Sequence, residues 1–115
     1  MPEDTTPDSP FACNLSAMDD GLRHRHQVLV ERLHPRILEI AELPGGYGFC
    51  LPSDDDLVLI IAEFITLERR CCPFIDFTLD ISRDNGPMWL RLTGRDGIKP
   101  FLRAEFGIDQ AIGAS

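Results

Sequence analysis

Cys71 and Cys72 stand side by side in the run L-E-R-R-C-C-P-F, with Glu68 three and four residues ahead of them. Adjacent cysteines do not readily join in an ordinary disulfide, because the sulfurs would close a strained ring. Two neighbouring thiols can instead chelate one thiophilic ion when a further ligand arrives from elsewhere. Cys13 and Cys50 complete the set of four cysteines, and none of the four forms a C-x-x-C pair of the zinc-ribbon or thioredoxin kind.

The helix expected to carry the pair runs from the aspartates near position 54 to Cys72, where Pro73 stops it. Ser53 with Asp56 supplies a capping pattern, and Asp54 and Asp55 place negative charge at the positive end of the helix dipole. With Cys72 at the centre of a helical wheel, Leu57, Val58, Ile61, Phe64 and Ile65 fall within about 80° of it, and Cys71 lies near the edge of that stripe. Glu68 falls inside it, whereas Glu63 and Arg70 lie opposite. A carboxylate on a core-facing stripe is costly unless it is paired or protonated, and Arg91 on the last strand is a candidate partner. His26 is the parallel oddity of the first helix, sharing an apolar stripe with Leu22, Leu29, Val30 and Leu33. Two ionisable groups on core-facing stripes near two thiols are what a buried site looks like in sequence. Cys50 reads as packing, Trp89 as packing on the sheet, and His24 and Asp54 to Asp56 as solvated.

The segment L-E-R-R-C-C-P-F-I-D-F-T-L-D-I, with G-P-M-W-L-R-L-T-G, G-I-K-P-F-L and the earlier F-A-C-N-L-S-A-M-D-D-G-L-R-H-R-H, resembles an uncharacterised family of small bacterial proteins with an E-R-x-C-C-P-F core. The resemblance runs from about residue 11 to 107. Glu68, Cys71, Cys72, Pro73 and Phe74 match the core, and Cys13 falls in the matching A-C-N segment. It implies a site at the C-C-P-F core and an association with heavy-metal handling, without implying an activity.

These residues together point to a thiolate site of Cys71, Cys72 and Cys13, with Glu68 and His26 beside it. Soft ions such as Hg(II), Cu(I), Zn(II) or As(III) prefer thiolates, and binding displaces the thiol protons. His26 as a fourth ligand suits zinc. An enzymatic version is chemically coherent: Cys72 and its neighbour hold an organometal while a protonated Glu68 delivers the proton that breaks the carbon–metal bond. Organomercurial lyases combine thiolates and an acid in this way, although the chain shows no overall match to them. A thiol redox protein with Cys13 as resolving cysteine is the alternative. It is opposed by the position of the pair at the negative end of a helix, which disfavours thiolate. An interaction module with inert buried cysteines is the third reading.

The rest of the chain supplies one small domain. Its 115 residues, 43% of them hydrophobic, suffice for a single core. Net charge is −8 and the sequence pI about 4.7, so nucleic-acid backbones and anionic membrane surfaces are repelled. No long apolar run and no basic leader is visible, and the expected compartment is the cytoplasm, where thiols stay reduced. Residues 1–10 read as a flexible arm, 11–107 as the domain and 108–115 as a loose tail. Within the domain, a helix starting between Ser16 and Asp20 ends at Pro35. Apolar runs around Pro44-Gly45-Gly46 make a hairpin. After the second helix, Ile75, Phe77, Leu79 and Ile81 alternate with polar residues, Asp84-Asn85-Gly86 turns the chain, and M-W-L-R-L-T returns. A last helix from about Asp96 to Phe106 ends at Gly107. The order α-β-β-α-β-β-α implies an α+β fold: a four-stranded antiparallel sheet with helices on one face.

Overall fold

The computed structural model of the protein describes residues 15–108. The expected arm, Cys13 and all of the tail but its first residue lie outside the described residues. The architecture is α+β in the anticipated order. Helix α1 spans Asp20–Leu33, strands β1 Glu39–Leu43 and β2 Gly46–Leu51, helix α2 Asp55–Cys71, strands β3 Asp76–Ile81 and β4 Met88–Thr93, and helix α3 Ile98–Phe106. The sheet is antiparallel throughout, in the order β1-β2-β4-β3. The last strand in sequence, β4, therefore lies between β2 and its own hairpin partner β3, and β2 and β4 take the centre.

Local chemistry explains most boundaries. The Asp19 side chain caps α1 by accepting the Leu22 N–H at 2.8 Å. Ser16 lies instead in a short 3-10 turn over Leu15–Ala17. Pro35 sits in a second such turn that follows α1 directly. Asp54 occupies the N-cap of α2 without a side-chain hydrogen bond to the helix, and its carboxylate pairs with Arg36. At the second hairpin Asp84 and Asn85 both have positive φ, 58° and 57°, and the Gly86 N–H closes the turn on the Arg83 carbonyl at 3.1 Å. Two left-handed residues in succession are what a primed turn requires, and Asp and Asn tolerate that region best. Gly107 ends α3 with a φ of 63°. Ile108, the first residue of the expected tail, is buried, so packing extends one residue past that cap.

The sheet turns Tyr47, Phe49, Leu51, Met88, Leu90 and Leu92 into one core with buried residues of all three helices. Strand β3 obeys the alternation only in part. Phe77 and Leu79 are half-buried, but Ile81 is 54% exposed because β3 is an edge strand that the helices do not fully cover. Trp89 packs on the other face against Gly48: a Cβ there would lie 3.3 Å from its ring.

Candidate functional site

Helix α2 lays Leu57, Ile60, Ile61, Phe64, Leu67, Glu68 and Cys71 into the interior. The buried face is thus centred nearer Ile61 and Glu68 than a wheel drawn on Cys72 implies, and Val58 and Ile65 are only half-buried. The physical reason lies at the helix end. Cys72 is the C-cap, with φ −127° and ψ 71°, and no longer follows the helical phase. Side chains of consecutive helical residues diverge by about 100°. Leaving the helix at Cys72 lets both cysteines stay inside, with exposures of 1% for Cys71 and 0% for Cys72. Their sulfurs lie 3.9 Å apart. The Glu68 carbonyl accepts from the Cys72 N–H at 2.8 Å and from the Cys71 thiol at 3.5 Å, so one turn of helix ties the three residues together.

The Glu68 side chain is fully buried. Arg91, a candidate partner by sequence, pairs with Asp80 instead, across the β3–β4 ladder. Glu68 meets His26 of α1: one carboxylate oxygen contacts His26 Nε2. That contact and the charge of Glu68 raise the imidazole above its ordinary value, against the opposing effect of burial. The other oxygen, Oε2, has no hydrogen-bond partner among the described residues. A wholly buried carboxylate oxygen without a donor is expensive, by about 1–3 kcal/mol or more. Two features hold His26 in place. Its ring stacks on Phe64, with centroids 5.9 Å apart and planes 25° from parallel. One residue earlier, Arg25 grips Glu63 of α2 with two hydrogen bonds of 2.8 and 2.7 Å, fixing α1 against α2.

Two sets of potential ligands share Glu68. His26, Glu68 and Cys71 offer atoms all within 4.8 Å of one another, and so do Glu68, Cys72 and Glu105. Three atoms with pairwise distances of at most 4.8 Å have a common point within 4.8/√3, about 2.8 Å, of each. Closing onto zinc-like bonds of about 2.0–2.3 Å therefore needs movements of roughly half an ångström. The sulfur spacing of 3.9 Å discriminates further. With metal–sulfur bonds of about 2.3 Å, two thiolates stand about 3.8 Å apart in a tetrahedral site, 4.0 Å in a trigonal one and 4.6 Å in a linear one. Three or four ligands fit; two-coordinate linear binding does not without rearrangement.

Of the residues singled out by sequence, Glu68, Cys71, Cys72 and His26 are brought together, while Cys13 lies outside the described residues. Cys50 is buried on the opposite face of the sheet across from Trp89, where burial and the Glu39 carboxylate push its thiol up. Glu105 is the functional candidate that sequence reasoning missed. The signal was present: Ile98, Phe101, Leu102 and Glu105 follow the i, i+3, i+4, i+7 spacing of an apolar helix face, and the last position carries a carboxylate. No family model matches this chain, and no curated protein or solved structure matches it either. Among the described residues no helix is long and apolar enough to cross a membrane.

Proposed function

We propose that the protein binds a thiophilic metal or metalloid ion as its cargo, with Cys71, Cys72 and Glu68 as the principal ligands and His26 completing the set. The observation that carries this reading is the fully buried Glu68 carboxylate with one oxygen unpartnered among the described residues, one helical turn from two thiols 3.9 Å apart. An inert core has no use for that arrangement, since a methionine or leucine fills the same volume without the cost of desolvating a charge. A cation answers it: the spare oxygen gains a ligand bond, and the thiolates gain the counter-charge that burial denies them. The imidazole–carboxylate contact gives the ion a histidine already oriented by Phe64. Soft ions are favoured because two donors are sulfur, and the spacing favours those that accept three or four ligands. In this proposal Cys13, which lies outside the described residues, is a further thiolate ligand.

The test is binding stoichiometry on the reduced full chain, measured by native mass spectrometry and calorimetry with Zn(II) and Hg(II). One ion per chain is expected. Cys71→Ser/Cys72→Ser should abolish tight binding, and Cys50→Ser should leave it unchanged. Undiminished binding in the double variant would discard the proposal.

A further inference from the structure

The two donor sets that share Glu68 differ in depth. His26, Glu68 and Cys71 form the inner set, and Glu68, Cys72 and Glu105 the outer one. Glu68 and both cysteines are buried, and the His26 side chain is 18% exposed. Glu105 is the exposed member of the five, yet a carboxylate oxygen of it lies within 4.8 Å of Cys72 Sγ and of a Glu68 oxygen. It therefore reaches bulk water and the buried donors at once.

Contacts away from the site hold Glu105 there. Helix α3 is fastened to the sheet by Arg103, which donates to the Tyr47 hydroxyl at 2.8 Å, and by Lys99, which pairs with Glu42. Those two residues are one turn apart, and Glu105 lies about 200° round the helix from Arg103. Next to it, Phe106 meets Phe64 of α2 edge-on with centroids 6.4 Å apart, so this end of α3 closes on the end of α2 that carries the thiols.

A metal ion arrives hydrated and sheds its water in steps. An exposed carboxylate takes it without being desolvated first, whereas a buried donor meets it only after part of that shell is gone. His26 is a poor first contact, because its Nε2 is engaged by Glu68 and its ring stacks on Phe64. Glu68 keeps one oxygen on His26 and the other, Oε2, without a hydrogen-bond partner among the described residues, so it can receive an ion before the His26 contact opens.

We infer that Glu105 is the entry ligand of the metal site: a soft cation is captured by Glu105, Cys72 and Glu68 and then passes inward, exchanging Glu105 for Cys71 and His26. The inference rests on the metal-binding reading above and adds the route by which that site fills and empties. Cys72 and Glu68 belong to both stages, so the ion stays bound throughout the exchange. As the metal–sulfur bond to Cys72 forms, the S–H bond breaks and its proton leaves to water.

The test uses the reduced full chain and Cd(II), whose bonds to thiolates absorb in the ultraviolet. Stopped-flow mixing gives the association rate, capture by excess chelator the dissociation rate, and competition with a chelator the Kd. A group that only carries the ion in and out changes both rates alike and leaves the equilibrium in place. Glu105→Gln should therefore slow association and dissociation by the same factor, about 10-fold or more, with Kd nearly unchanged. Glu105→Ala should behave in the same way and serves if Glu105→Gln does not fold. Asp96→Asn removes an exposed charge at the other end of α3 and should leave both rates close to wild type, which separates the route from general attraction to an acidic chain. An unchanged association rate in the Glu105 variants would overturn the inference. So would a weaker Kd with faster dissociation, the mark of a permanent ligand. Either result leaves binding through Cys71 and Cys72 standing. If Cys71→Ser/Cys72→Ser binds Cd(II) as wild type does, the metal reading falls and this inference with it.

Discussion

Replacing Glu68 by methionine separates a residue kept for its ligand from one kept for the fold. Three effects set the expected result in the metal-free protein. The unpartnered, fully buried oxygen disappears, which stabilises by about 1–3 kcal/mol. The charge-assisted contact with His26 is lost, which costs about 1.5–3 kcal/mol. An apolar side chain of similar size replaces the carboxylate in the core, which contributes about 1.5–3 kcal/mol. His26 adds little to the loss, because its side chain is 18% exposed and its ring remains stacked on Phe64 as a neutral imidazole. At mid-range these terms leave a variant about 2 kcal/mol more stable than wild type, within the range seen when buried ion pairs are replaced by apolar groups. At about 4 °C per kcal/mol for a domain of this size, the melting temperature should rise by about 8 °C.

Metal reverses the order. At a concentration 100 times its dissociation constant, a ligand stabilises wild type by about 2.7 kcal/mol. Removing one ligand should weaken binding by about 10- to 100-fold or more, so about half of that increment or more should vanish from Glu68→Met. Urea unfolding monitored by circular dichroism, with chelator and then with Zn(II), reads both quantities. A metal-free variant destabilised by about 3–5 kcal/mol would show that Glu68 serves the fold as half of a required ion pair. A metal increment equal to that of wild type would show that Glu68 is no ligand.

Two further predictions concern the frame around the site. Gly46→Ala should destabilise the protein by about 1–3 kcal/mol or more, because an added Cβ would lie 2.0 Å from the Leu92 carbonyl oxygen in the central β2–β4 pair; thermal unfolding checks it. Arg25 holds the Glu63 carboxyl below its usual value of 4.5, chiefly through its hydrogen bonds. The stability so conferred is complete above about pH 4.5 and is lost as pH falls through the lowered folded-state value. The unfolding midpoints of Glu63→Gln and wild type should therefore differ at pH 7 and converge towards pH 3. A gap independent of pH would refute that account.

The sequence by itself determined the number, order and kind of the elements, because each is written in short-range chemistry. Pro73 stops α2 after the cysteines, Asp84-Asn85-Gly86 accepts left-handed backbone, and alternation marks β3. It also brought Glu68 near Cys71 and Cys72, since spacings of three and four residues place side chains about one helical turn apart whatever surrounds them. Tertiary structure decided everything that depends on which faces meet. A wheel centred on Cys72 misses the true buried face of α2, because the cap residue leaves the helix and neighbouring layers bury Ile60 and Leu67 as well. Residues 26 and 68 are 42 positions apart, so no local rule selects His26 over Arg91 as the partner of Glu68; the docking of α1 on α2 does. Strand order is equally non-local. With β4 between β2 and β3, Leu90 and Leu92 sit under the helices, and α3 brings Glu105 to Cys72. A pattern along the chain carries the period of a face, whereas a site exists only where several faces close on one another.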